Sequence, residues 1–159
     1  MGHLPKIVGP GKGFDLANVD LQVTNGIGSA TVAGDVVAMT PVATGIQTSY
    51  RVPVTADLRG FAWIGVAMED IPTGGTGRIR FRGQVSAFTL STGAATTISA
   101  GKPYAVKAGS VLDIDTPAAF PRKYVALALE ETSGAASATK AKRLVLLDGI
   151  DGFGTAWAS

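Results

Sequence analysis

Arg78, Arg80 and Arg82 alternate with Ile79 and Phe81. On an extended strand this spacing puts three guanidinium groups on one face and the apolar pair on the other. Two readings are open. The arginines can keep an exposed face soluble and guard it against edge-to-edge pairing. They can also form a cationic ladder that meets carboxylates on a partner, since the guanidinium fork matches a carboxylate in bidentate fashion and desolvates more readily than an ammonium. The neighbouring aromatics alternate inward, so no stacking platform for nucleic-acid bases accompanies the ladder.

Other chemistry is thinly supplied. The single histidine is His3, near the chain start, and there is no cysteine. A Ser-His-Asp or Cys-His site needs a positioned imidazole, and a centre with several histidine ligands cannot be built. Gly9-Pro10-Gly11-Lys12-Gly13 resembles a phosphate loop only superficially, because Lys6 stands where its first Gly belongs and Gly13 where Ser or Thr belongs. Gly26-Ile27-Gly28 lacks the third glycine of a dinucleotide fingerprint. Asp113 and Asp115 share a strand face, and Asp148-Gly149-Ile150-Asp151-Gly152 hints at a calcium loop without the ligand spacing or the closing Glu. These acids read as solvated faces or turns. The expectation is a protein with no catalytic residues, no metal and no cofactor.

Composition agrees with a scaffold. The apolar share of 46% suffices for one core, and 21 Gly and 8 Pro with Val, Ile and Thr-rich segments favour short strands and tight turns over helices. The net charge of +2 is far from the footprint of a nucleic-acid binder. No signal-peptide core and no apolar run of membrane-spanning length is visible. The expectation is a soluble protein made in the cytoplasm, with neither nucleic acid nor membrane as a partner.

Strands are expected at Leu21–Val23, Val36–Met39, Val52–Val54, Phe61–Met68, Arg78–Leu90 with a bend or bulge at Gly83, Gly101–Val106, Tyr124–Leu129 and Lys142–Leu147. Asn25-Gly26 and Thr73–Gly77 mark turns, and Ser133–Thr139 reads as a loop. Helix is conceivable only within Arg122–Lys142, where Gly134 argues against it. One pattern occurs twice: Ala33-Gly34-Asp35-Val36 returns as Ala108-Gly109-Ser110-Val111, and Gly65–Asp70 returns as Ala126–Glu131. In each copy a glycine marks a sharp turn before a strand that must be buried, and an acidic pair closes the later strand. The fold expected is all-β, a small sandwich or barrel with an internal strand-turn duplication. A single domain would span 16–148, with related halves at about 33–90 and 100–148.

Both chain ends stand apart. Residues 1–15 form an expected extended arm, interrupted by Pro5, Gly9, Pro10, Gly11 and Gly13 but carrying Leu4, Ile7, Val8 and Phe14 as apolar handles. It is either a solvated terminus or a segment that orders on a neighbour. Residues 149–159 form a Gly-rich tail with Phe153 and Trp157, which folds back on its own sheet or docks on another subunit. Candidate partner-binding residues are Leu4, Lys6, Ile7, Lys12, Phe14, Arg78, Arg80, Arg82, Phe153 and Trp157.

Gly34-Asp35-Val36-Val37, the strand ending Gly65-Val66-Ala67-Met68-Glu69, and Gly77-Arg78-Ile79-Arg80-Phe81-Arg82-Gly83 resemble the head decoration (cement) proteins of tailed bacteriophages. In that group a Gly-Asp-x-Val strand leads to an Ile-Gly-Val-Ala-x-Glu strand, a Gly-containing turn and a Val-x-Val-x-x-Gly strand. Ile98-Ser99-Ala100-Gly101-Lys102-Pro103-Tyr104 is similar to the following Ile-x-Ala-Gly-Asp-x-Val segment, with Lys102 in place of the acid. The match runs roughly from Ala33 to Leu129. The resemblance implies a β-rich, non-enzymatic protein on the exterior of the virion capsid. Its partners would be the major capsid protein and further copies of itself, as a homotrimer or homodimer. Other virion structural roles, in a tail or baseplate, and a carbohydrate-binding β module using Tyr50, Trp63, Tyr104, Tyr124 or Trp157 are the alternatives.

Overall fold

The computed structural model describes residues 17–39, 41–42, 45–46, 49–54, 62–91, 97–107, 109–113 and 122–156. Among the described residues twelve strands and one helical turn follow in chain order: β1 (Val19–Asn25), β2 (Val36–Met39), β3 (Pro41–Val42), β4 (Gly45–Ile46), β5 (Ser49–Tyr50), β6 (Trp63–Ala67), β7 (Thr76–Leu90), β8 (Pro103–Lys107), β9 (Val111–Asp113), β10 (Arg122–Ala128), α1 (Gly134–Ser137), β11 (Ala141–Asp148) and β12 (Thr155–Ala156). The all-β expectation holds. Two local expectations differ: Val52–Val54 is not a strand, since only Arg51 bridges Ala38 and Pro53 has no N–H to pair, and α1 is a single turn inside the expected loop.

The long strand β7 organises everything. Its odd-numbered residues from Ile79 to Thr89 are buried along the whole length, while the even-numbered ones face outward. Gly83 sits midway at φ +114°, a conformation that only glycine adopts cheaply, and it bends the strand. The two halves of β7 belong to two different closed rings. In the second ring, the C-terminal half of β7 pairs with β9 and β11, β9 with β8, β8 with β10, and β10 with β11. This is a closed five-stranded barrel. In the first ring, the N-terminal half pairs with β1 and β6, β1 with β5, and β6 with β2. The residue after β5 closes it: Arg51 and Ala38 exchange two backbone hydrogen bonds of 3.0 and 2.9 Å.

The rings repeat one another in a set of matching backbone hydrogen bonds. Gly34 N–H donates to the Ala67 carbonyl at 2.9 Å, and Gly101 N–H to the Ala128 carbonyl at 2.7 Å. Asp35 N–H donates to Val32, and Lys102 N–H to Ser99. Thr31 bridges Ile71 as Ile98 bridges Thr132, and Ala38 bridges Arg51 as Ala105 pairs with Asp113. β2 therefore corresponds to β8, β5 to β9, β6 to β10, and the first half of β7 to β11. The second half of β7 stands in for β1. This register differs from the most visible sequence match. Ala33-Gly34 has its structural counterpart in Ala100-Gly101, while Gly109 leads into β9, the counterpart of β5. The Ala-Gly turn recurs because it solves a common problem, a sharp entry into a buried strand; Gly34, Gly101 and Gly109 all have positive φ. The acidic pairs, by contrast, do correspond: Glu69 Oε1 accepts the Arg78 N–H at 2.7 Å, and Glu130 Oε1 the Leu144 N–H at 3.1 Å.

Interior positions match as well. Val23, Val37, Met39, Tyr50, Ala67, Ile79 and Phe81 fill the first barrel. Their counterparts Ala87, Tyr104, Val106, Leu112, Ala128, Val145 and Leu147 fill the second. β2 and β6 are buried on both sides, because Val36, Ala38, Ile64 and Val66 pack into the same cluster as the second barrel. That is why these strands read as continuous apolar runs rather than alternating ones. The seam is sealed by Gly149 just past β11. Its N–H donates to the Phe81 carbonyl of β7 at 2.8 Å, and its carbonyl accepts from Ile64 of β6 at 2.9 Å. A Cβ there would lie 1.6 Å from the Ile64 oxygen.

Candidate functional site

The arginine ladder lies on the outer face of the β1–β7 pair, opposite the first barrel's interior. The antiparallel register sets Thr24 against Thr76, Gln22 against Arg78 and Asp20 against Arg80. Arg80 grips Asp20 through both carboxylate oxygens, Nε to Oδ1 at 2.8 Å and Nη2 to Oδ2 at 3.0 Å, and its Nη1 donates to the Gln84 carbonyl at 2.7 Å. The hydrogen bond from Arg80 holds the Asp20 carboxyl below its usual range, and the same bond raises Arg80 further above its own. Arg82 reaches the carboxylates of Asp148 at 3.3 Å and Asp151 at 2.6 Å. Asp148 also accepts the Ile150 and Asp151 N–H groups, so it orders the turn after β11. Two of the three guanidinium groups thus already have intramolecular carboxylates. Arg78 keeps its side chain exposed.

Asp20, Asp148 and Asp151 are the site residues that sequence reasoning missed. The alternation in β1 places Asp20 outward, but only the strand pairing brings it to Arg80. Asp148 and Asp151 were singled out for a different chemistry. Beside them, Lys123 at the start of β10 donates to the Ile150 carbonyl, and burial pushes its ammonium below the ordinary lysine range against the opposing pull of Asp148 and Asp151. The reading of Asp113 as a solvated residue is corrected. It is fully buried in β9, with Lys107 Nζ at 3.7 Å, because β9 lies between β7 and β8.

The tail, as far as it is described, folds back on its own sheet. Phe153 N–H donates to the Tyr124 carbonyl, Tyr124 N–H to the Gly154 carbonyl, and β12 pairs with Arg122 and Lys123. Phe153 is half-buried there. Leu4, Lys6, Ile7, Lys12, Phe14 and Trp157 lie outside the described residues, as do His3, the Gly9–Gly13 segment and Asp115. Of the aromatics that could stack on a sugar, Tyr50 and Tyr104 are buried in the two barrels, and Trp63 packs edge-on against Phe81 with ring centroids 6.0 Å apart.

Two further features stand outside the ladder. At the seam, Ala33, Gly34, Ala67, Met68, Val85, Ser86 and Lys142 line a cleft of about 220 Å³. Beside it the ammonium groups of Lys140 and Lys142 lie over the Phe88 ring, 4.7 and 5.4 Å from its centroid. At the end of the second barrel, buried Arg143 donates to the Thr89 carbonyl and hydroxyl and to the carbonyls of Ala136 and Thr139. It ties α1 to the barrel. Among the described residues no three His, Cys, Asp or Glu side chains converge as a metal site would require. What the geometry offers is a cationic ladder, two of its three members paired within the chain, over two apolar interiors.

No model of a known protein family matches this chain, and no curated protein matches it either.

Proposed function

We propose that this protein is a non-enzymatic head decoration protein of tailed bacteriophages. It binds the outside of the capsid and stabilises the shell by covering seams between major capsid subunits. The observation that supports the reading is where the resembling segments fall. Gly34–Val37, Gly65–Glu69 and Gly77–Gly83 are the entry turn with β2, the strand β6, and the first half of β7: one barrel's frame. Ile98–Tyr104 is the equivalent turn and strand of the other barrel. The resembling segments are thus positions that build the fold.

The physical logic is additive burial. A standard interface covers about 1,600 Å² in total and binds tightly without chemistry, and repeated engagement around a lattice multiplies weak contacts. Side chains already held within the chain, as Arg80 and Arg82 are, lose little conformational freedom on docking. Arg78, the ladder member with an exposed side chain, is the guanidinium best placed to meet a capsid carboxylate. Residues 1–14 and the tail at Trp157 are the other contact candidates, and self-association on the capsid completes the proposal.

Electron microscopy of heads with and without the protein tests this. Regular density on the outer capsid surface, and heads that resist heating better when the protein is present, are expected. Density confined to the tail or baseplate, or heads equally stable in its absence, would refute it.

A further inference from the structure

Asn25-Gly26 ends β1 at the mouth of the first barrel, and the proposed capsid role makes no use of it. An asparagine followed by glycine is chemically labile, because no side chain on the second residue hinders attack by its backbone nitrogen. The only other asparagine, Asn18, precedes β-branched Val19. Asn25-Gly26 is therefore the chain's candidate for deamidation.

The fold holds both reacting groups. Asn25 is 3% exposed. Its Nδ2 donates to the carbonyls of Ser29 at 3.0 Å, Ile71 at 3.2 Å and Pro72 at 3.3 Å. Its Oδ1 accepts the Ile27 N–H at 2.8 Å. The would-be nucleophile, Gly26 N–H, is donated to the Tyr50 carbonyl at 3.1 Å. Asn25 N–H itself goes to Gly75 at 2.7 Å. The amide thus stitches β1 to the turn after it and to the turn before β7, and it closes the barrel end.

We propose that Asn25 is a fold-gated deamidation site: the closed first barrel protects it, opening exposes it, and the modified chain cannot reclose. In the reaction Gly26 N attacks Asn25 Cγ. The N–Cγ bond forms, the Cγ–Nδ2 bond breaks, and ammonia leaves with the proton from Gly26. Water then opens the succinimide to aspartate or isoaspartate. Either product replaces a double donor with a carboxylate that only accepts. That carboxylate would be buried against the Ser29, Ile71 and Pro72 oxygens, an unpaired charge facing acceptors. Isoaspartate also lengthens the backbone where Asn25 is in register with Tyr50. Conversion would therefore accumulate in proportion to the time a chain spends open, and it would remove the converted chains from the folded pool.

The test uses the wild-type protein in mildly alkaline buffer, with and without unfolding concentrations of urea, followed by tryptic mapping of the peptide that contains Asn25. Conversion in urea and conversion at least about a hundredfold slower in buffer are expected, since protection follows the fraction of time the region is open. Equal rates would overturn the gating. After removal of urea, converted chains should be absent from the refolded fraction; their return with an unchanged unfolding midpoint would overturn the irreversibility. Asn25→Asp supplies the hydrolysed product directly and should unfold at lower urea. Should it not fold at all, that outcome supports the second claim, and the wild-type rates still decide the first.

Discussion

Arg143 and Arg80 pose a direct contest between burial and charge pairing. Arg80 holds a carboxylate with two hydrogen bonds. The partners given above for Arg143 are neutral oxygens: Thr89 O at 2.7 Å, Thr89 Oγ1 at 2.8 Å, Ala136 O at 2.6 Å and Thr139 O at 3.1 Å. Ranking by ion pairs makes Arg80 the more important residue. Ranking by solvation reverses the order. Asp20 can turn to water when Arg80 is lost, so Arg80→Met should cost about 1 kcal/mol. Ala136 and Thr139 are exposed and their carbonyls can also be rehydrated. Thr89 is fully buried, and its oxygens would lose a charged donor, a loss of roughly 1.5–3 kcal/mol for such a bond. With the undocking of α1, Arg143→Met should cost about 2–4 kcal/mol. At a urea dependence of about 2 kcal/mol/M, the midpoint falls by about 1–2 M, against about 0.5 M for Arg80→Met. Urea unfolding followed by tryptophan fluorescence reads both, and amide exchange at residues 134–139 should accelerate only in Arg143→Met. A shift in Arg143→Met no larger than in Arg80→Met would refute the argument that burial decides.

The equivalence of the two rings predicts that Glu69→Gln and Glu130→Gln cost similar small amounts, about 0.5–1 kcal/mol each, measured as matched shifts in thermal midpoint; a large disparity would break the correspondence between the turns. Gly149→Ala should destabilise by more than about 4 kcal/mol, because the new Cβ meets the Ile64 carbonyl oxygen in the seam, and a folded variant with wild-type midpoint would disprove that close approach. Asp20 has a folded pKa lowered by its hydrogen bond to Arg80, so its contribution is present above the unfolded value of 3.8 and is lost as pH falls through the folded value. Acid titration of stability should show this loss in the wild type and not in Arg80→Gln. Lys123 also has a folded pKa below its unfolded value of 10.5. Stability should therefore rise with pH through the window ending there, and the slope should vanish in Lys123→Met.

Much of the architecture was readable because β-strands advertise themselves locally. Val36–Met39 was bounded by a glycine turn and a proline, and it appears as β2 with those limits. The alternation through Arg78–Leu90 is visible from the side-chain period alone, and the bend fell at Gly83. The ladder was found for the same reason. Its meaning was not, since Asp20 comes from sixty residues away and Asp148 from sixty-six. The duplication was legible too, but its register was not. Ala-Gly occurs at three turns, and similarity of letters cannot say which two precede corresponding strands. Backbone hydrogen bonds at Gly34 and Gly101 decide it. The short turn α1 escaped because its four residues carry no periodicity, and Arg143 from β11 holds its end.

The amino-acid sequence by itself determined that this chain builds strands, where most of them lie, and that a motif recurs, because turn chemistry and side-chain alternation act over a few neighbouring residues. Only the tertiary structure decided that β7 serves two barrels at once, that β2 and β6 are covered on both faces, and that the arginine ladder is largely paired within the chain. Those outcomes depend on which distant backbone edges meet, and the energy of closing a ring is not written in any one of its strands.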